Sequence, residues 1–138
     1  MYNKSFNSKN TNFDTLQHIV DALKNAGFDM LLTGNNHSYD TGLFGLKRTA
    51  QILKQKGIEF TGTKENTDDP SYIVKNINNI NIGIINYTYE TAPENAIPGR
   101  KYLNGNIIKE EANSLINTFS YNKINDFYAD AKLKIDEM

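Results

Sequence analysis

The sequence predicts an α/β fold built on a βαβ unit with a β-hairpin beside it. Three observations carry this. Two short apolar runs flank a segment of helical periodicity, glycines punctuate each boundary, and a second β-rich stretch follows after a polar gap.

The elements follow in chain order. Residues 1–12 are polar and read as an irregular N-terminal segment, with Asn7–Asn12 a loop. Phe13, Leu16, Ile19, Val20 and Leu23 recur at helical spacing, with Asn12 or Asp14 as N-cap and Gly27 placed for a C-terminal cap. Phe28–Thr33, bounded by Gly34, reads as a buried strand, and Asn35–Gly42 as a polar turn. A second helix spans Leu43–Lys56, with Leu43, Leu46, Ala50 and Leu53 on its core face and Gly57 at its end. Ile58–Thr61 is the next strand, closed by Gly62. Strand, helix and strand with short connections predict parallel pairing and a right-handed crossover.

Tyr72–Lys75 and Ile80–Thr88 are β-rich, and Asn76–Asn79 between them suits a hairpin turn because asparagine tolerates positive φ. The hairpin is expected to extend or adjoin the first sheet. Ala92–Gly105, with two prolines and two glycines, reads as a loop. A short helix is expected around Glu110–Phe119. A longer amphipathic one is expected from Lys123, with Ile124, Phe127, Ala131 and Ile135 as its stripe.

Bulk properties narrow the function classes. The 138 residues suffice for one domain with a core, and a net charge of −1 gives no electrostatic footprint for nucleic acid. Without cysteine there are no disulfides and no thiolate metal sites. No apolar run approaches the roughly 18–20 residues that span a bilayer. The first six residues lack the apolar core of a signal peptide.

The turn Asn35–Gly42 is the dense polar cluster placed where open α/β sheets keep their sites, between the carboxyl end of a strand and a helix N-terminus. Asn36 offers a carboxamide oxygen suited to a hard divalent ion. His37 can exchange a proton near neutral pH. Asp40 can orient His37, bind a cation or cap the helix. Each has a plain structural alternative. Asp40 or Thr41 makes a good N-cap, and a lone turn histidine commonly serves only local structure. His18 has no metal-ligating partner four residues on and is expected at the surface or its boundary. A nucleotide site is disfavoured, because no Gly-x-Gly-x-x-Gly follows Leu32.

The stretch ALKNAGFDMLLTGNNHSYDTGLFGLKRTAQILKQKGIEFTGT, residues 22–63, resembles the core of the CapA/PgsA-type poly-γ-glutamate capsule family, and INIGIINYTYET and KYLNGN resemble later parts of it. The resemblance implies an incomplete CapA-like domain over residues 13–138. The implied architecture is a partial calcineurin-like metallophosphoesterase fold, an αββα sandwich around two metal ions. It implies Asn36 as a metal ligand, His37 as a catalytic acid or leaving-group stabiliser, and Asp40 as a supporting residue. Mn, Zn or Mg in the full-length parent, and a polyglutamate or phosphate-containing substrate, follow from the same resemblance. So does an extracytoplasmic or membrane-anchored parent. The family's pattern also holds an aspartate strand near Gly-Asp, a glutamate in Asn-x-Glu, and a later His-Trp-Gly-x-Glu-Tyr. None of these occurs here. One carboxamide cannot hold two ions. The expectation for this piece alone is therefore an internal fragment with no tight metal site, no hydrolase activity and a tendency to self-associate. Glu90 and Glu94 could approach the same sheet edge, though they match no family ligand. The alternative for the parent is a non-catalytic envelope subunit that binds polymer or partner proteins.

Overall fold

The computed structural model describes residues 8–138, with side chains from residue 15 onward. The signal-peptide reading, the side chain of Phe13 and those of the proposed caps Asn12 and Asp14 lie outside the described residues. The elements are α1 (Ser8–Asn25), β1 (Met30–Leu32), α2 (Gly42–Lys56), β2 (Glu59–Thr61), β3 (Ile73–Ile77), β4 (Ile80–Ile84), β5 (Thr88–Tyr89), β6 (Tyr102–Leu103), β7 (Asn106–Ile107), β8 (Thr118–Phe119) and α3 (Ile124–Glu137). One-turn 3₁₀ helices at Glu110–Ala112 and Tyr121–Lys123 precede β8 and α3 respectively.

The βαβ unit pairs as expected, but the strand read over Phe28–Thr33 is shorter and is not buried: Phe28 and Leu32 are 50% and 58% exposed. β1 and β2 pair in parallel, Met30 opposite Glu59 and Leu32 opposite Thr61, and α2 crosses between them. Both preceding helices stop for the same local reason. Gly27 and Gly57 adopt positive φ (89° and 66°), which glycine, lacking a Cβ, takes at no steric cost. Each then closes a Schellman pair: Phe28 N–H to the Leu23 carbonyl, and Ile58 N–H to the Leu53 carbonyl. α2 faces two cores. Leu46 joins Tyr39, Leu103, Ile108, Ala112, Leu115 and Ile116, while Ile52 and Leu53 join Val20 and Ile58.

The β3–β4 hairpin is antiparallel, and Asn78 and Asn79 both take positive φ (53° and 66°) at its tip. That left-handed pair matches the strand twist, as the Asn-Asn sequence predicts. The hairpin lies beside β2 through a Lys75–Glu59 ion pair without joining its ladder.

Several expectations change. Ser8–Asn12, expected to be irregular, is the first part of α1, since a helix once nucleated by a packed segment gains a hydrogen bond with each added residue. Ile19 is 51% exposed, outside the buried stripe. The single strand Ile80–Thr88 is split into β4 and β5 around Asn86. The loop Ala92–Gly105 contains β6, which pairs with β7 across Asn104-Gly105, both at positive φ (49° and 76°). The helix around Glu110–Phe119 does not form beyond one 3₁₀ turn. Leu115–Asn117 runs antiparallel to Gly62–Lys64 instead, then enters β8, which pairs in parallel with β5. Asn and Thr in that stretch are weak helix formers, and tertiary pairing overrides the short apolar pattern. α3 forms where expected, though Ile135 is 61% exposed.

Candidate functional site

The turn after β1 is built by its own side chains. Asn35 Oδ1 accepts the His37 N–H (2.9 Å), and the Ser38 hydroxyl accepts the Asn35 N–H and donates to the Thr33 carbonyl (2.6 Å). Tyr39 is buried in the core below, and its hydroxyl accepts the Lys109 N–H (3.4 Å). The entry to the turn is clasped from across the fold. The Asn86 carboxamide accepts the Gly34 N–H and donates to the Gly34 carbonyl (3.2 Å). Gly62, at φ 106°, lies so close that an added Cβ would stand 2.1 Å from Asn86 Oδ1 and 2.3 Å from Gly34 N. Asn117, itself buried, donates to the Asn86 and Ser71 carbonyls (3.1 and 2.9 Å).

On this frame His37 Nδ1 meets Asp40 Oδ2 at 2.7 Å. Asn104, at the β6–β7 tip, donates from Nδ2 to Asp40 Oδ1 (3.1 Å). The Asp40 carboxylate therefore takes one donor on each oxygen. Hydrogen bonds from His37, then from Asn104, hold its pKa below the ordinary 3.8. A carboxylate at Nδ1 assigns the proton to that nitrogen and leaves Nε2 open. The Asn104 Nδ2 also lies 3.2 Å from His37 Nδ1, but both then carry hydrogens, so the shared acceptor is Asp40. Thr91 fixes the hairpin tip through its hydroxyl, which accepts the Asn104 N–H, and its carbonyl, which accepts the Gly105 N–H (3.1 Å).

His37 is exposed and lines an open cleft of about 280 Å³ with Thr33, Asn35, Ser38, Thr41 and Thr63. Apolar side chains do not enclose it. Asn36 is half-buried and is not among the residues lining that cleft. Asp40 does not cap α2: the N-cap is Thr41, without a side-chain cap bond. Glu90 is engaged elsewhere, by the Thr118 hydroxyl (3.0 Å) and Lys101 (3.8 Å). Among the described residues no three His, Cys, Asp or Glu side chains converge as a metal site. Asn104 is the participant that the residue pattern did not flag. Its signal was the Asn-Gly pair, a strong hairpin marker.

Among the described residues no helix is long and apolar enough to cross a membrane. No solved structure matches the chain. The capsule biosynthesis protein CapA of Bacillus anthracis is 33% identical over 81 residues, 58% of this chain and 20% of that protein, so the chain spans a fifth of its relative's length. The family described as bacterial capsule synthesis protein PGA_cap matches residues 2–133. With the NNH turn at a parallel strand end and a family match over nearly its whole length, the chain belongs to the CapA-type bacterial capsule synthesis proteins.

Proposed function

We propose that the chain carries one wall of the active site of a hydrolase-like capsule biosynthesis enzyme with a calcineurin-like metallophosphoesterase fold. The observation that supports this most is the Asn104–Asp40–His37 arrangement beside an open cleft. A carboxylate on Nδ1 orients the ring and stabilises its protonated form, so Nε2 can hand a proton to a leaving group. Asp40 is the positioning residue and His37 the acid. Positioned acids of this kind contribute about 10²–10⁴-fold to rate.

The described residues do not fit a metal centre by themselves. Asn36 offers one neutral oxygen, and Asp40 is already shared by two donors. A divalent ion there would keep mostly water. Asn36 is proposed as one ligand of an Mn, Zn or Mg ion whose other ligands belong to the longer parent. The substrate proposed is a polyglutamate or phosphate-bearing molecule, met outside the cytoplasm. The alternative is a non-catalytic envelope subunit that keeps the fold and binds polymer or partner proteins.

Metal analysis and a phosphodiesterase assay on the full-length parent separate the two. Bound metal, with activity that falls at least a hundredfold in His37→Ala, supports the enzyme. A metal-free and inactive parent supports the accessory role, and activity that ignores that change removes His37 as the acid. The isolated chain is expected to bind Mn and Zn only weakly in isothermal titration. Tight binding of two ions that Asn36→Ala abolishes would show the site complete within these residues.

A further inference from the structure

A second cavity, of about 390 Å³, lies between the β5–β8 pair, the segment after β2 and the face of α3. It shares no lining residue with the cleft at His37. Four lysines line it, Lys64, Lys101, Lys123 and Lys134, against three carboxylates, Glu90, Asp126 and Asp130.

The pairing inside the cavity is uneven. Asp130 is taken by Lys134 and by the Tyr87 hydroxyl. Glu90 accepts from the Thr118 hydroxyl, with Lys101 further off at 3.8 Å. Asp126 is exposed on the first turn of α3. Lys64 is different. It is 9% exposed, and its ammonium donates to the Thr67 carbonyl (2.9 Å) but pairs with no carboxylate among the described residues. Burial first, and Lys134 second, push its pKa down, against a smaller opposing pull from Asp69, Asp68 and Asp130, none of which bonds to it. A nearly buried ammonium with a single neutral acceptor is costly unless a counter-charge arrives. Lys123, across the cavity, likewise pairs with no carboxylate among the described residues. Phe119 and Phe127 give the same cavity apolar wall. Apolar walls lower the local dielectric and strengthen an ionic bond formed inside.

We propose that this cavity is an oxyanion site, taking a carboxylate or phosphate group on Lys64 and Lys123, with Lys101 beside them. The ligand supplies the direct ion pair that Lys134 has in Asp130 and that Lys64 and Lys123 lack among the described residues. The site stands independently of any catalytic role for His37.

The test is titration of the 138-residue chain with inorganic phosphate and, separately, with glutarate, followed by calorimetry and by lysine side-chain NMR. Saturable binding is expected, with the Lys64 and Lys123 ammonium signals shifting together. The tighter of the two probes identifies the source chemistry. Lys64→Met and Lys123→Gln should each weaken binding about tenfold or more, the worth of one charge-assisted hydrogen bond. Lys123 is exposed, so its replacement leaves the fold testable even if Lys64→Met unfolds. Lys132→Gln, outside the cavity, should leave binding unchanged. Three results overturn the proposal: no saturation with either anion, unchanged binding in Lys123→Gln, or equal weakening in Lys132→Gln.

Discussion

At the scale of single residues, Asp40 and Asn86 do different work with similar chemistry. Asp40 is exposed, so its hydrogen bonds orient His37 more than they stabilise the fold. Its carboxyl should titrate below 3.8, and Asn104→Ala should move that midpoint upward, because one of the two donors favouring the charged form is gone. Side-chain NMR of the Asp40 carboxyl measures this; an unmoved midpoint would remove Asn104 from the site. Gly62 faces the opposite constraint. Its φ is 106°, and an added Cβ would stand 2.1 Å from Asn86 Oδ1, which leaves no room for a methyl group. Gly62→Ala should cost about 2–4 kcal/mol in urea unfolding. His37 and Asp40 were legible in the sequence because they stand three residues apart in one turn. Asn104 was not, since it arrives from 64 residues further on, and its contact with Asp40 belongs to tertiary structure.

At the scale of elements, the βαβ unit was readable because its signals are local: apolar runs of strand length, a helical stripe, and capping glycines at Gly27 and Gly57. The β6–β7 hairpin was hidden by its surroundings, with the prolines and glycines around Asn104-Gly105 reading as loop. The stretch after Glu110 misled for a different reason. Asn117 looks like a surface residue, yet it is buried and ties two carbonyls from other segments. α3 is fastened by few groups. Tyr87 donates to Asp130, Lys134 Nζ stands 4.7 Å above the Tyr87 ring, and Phe127 meets that ring edge-on at 5.0 Å. Burial works to raise the Asp130 pKa, but hydrogen bonds from Lys134 and Tyr87 outweigh it and hold the carboxyl below 3.8. Its contribution is therefore complete above the unfolded value and is lost as pH falls through the lower folded one. Acidification below about pH 4 should loosen α3 first, seen as loss of the tyrosine near-ultraviolet signal ahead of the far-ultraviolet signal. Simultaneous loss of both would show that α3 is no weaker than the rest.

At the scale of the whole molecule, the apolar surface is unevenly covered. The β3–β4 hairpin leaves Ile77 and Ile80 53% and 65% exposed, and neither of its outer edges joins another strand among the described residues. Open edges with apolar faces invite pairing between copies. Sedimentation should show concentration-dependent association of the chain, reduced in Ile80→Lys. A monomer at every concentration would argue that these faces are tolerated by water. The α1–α2 contacts, by contrast, bury Val20 and Leu53 almost completely and give this half of the molecule its own core.

The clasp at Gly34 has a consequence for the order in which the molecule assembles. β1, α2 and β2 draw on neighbours in sequence and can form early, while the bond from Gly34 to Asn86 closes a loop of 52 residues. Loop closure of that length is an entropic step that local structure does not repay in advance. The strand that leads to His37 is thus in place before the peptide that aims it, and the turn acquires its final shape only when the chain has returned from the β3–β4 hairpin.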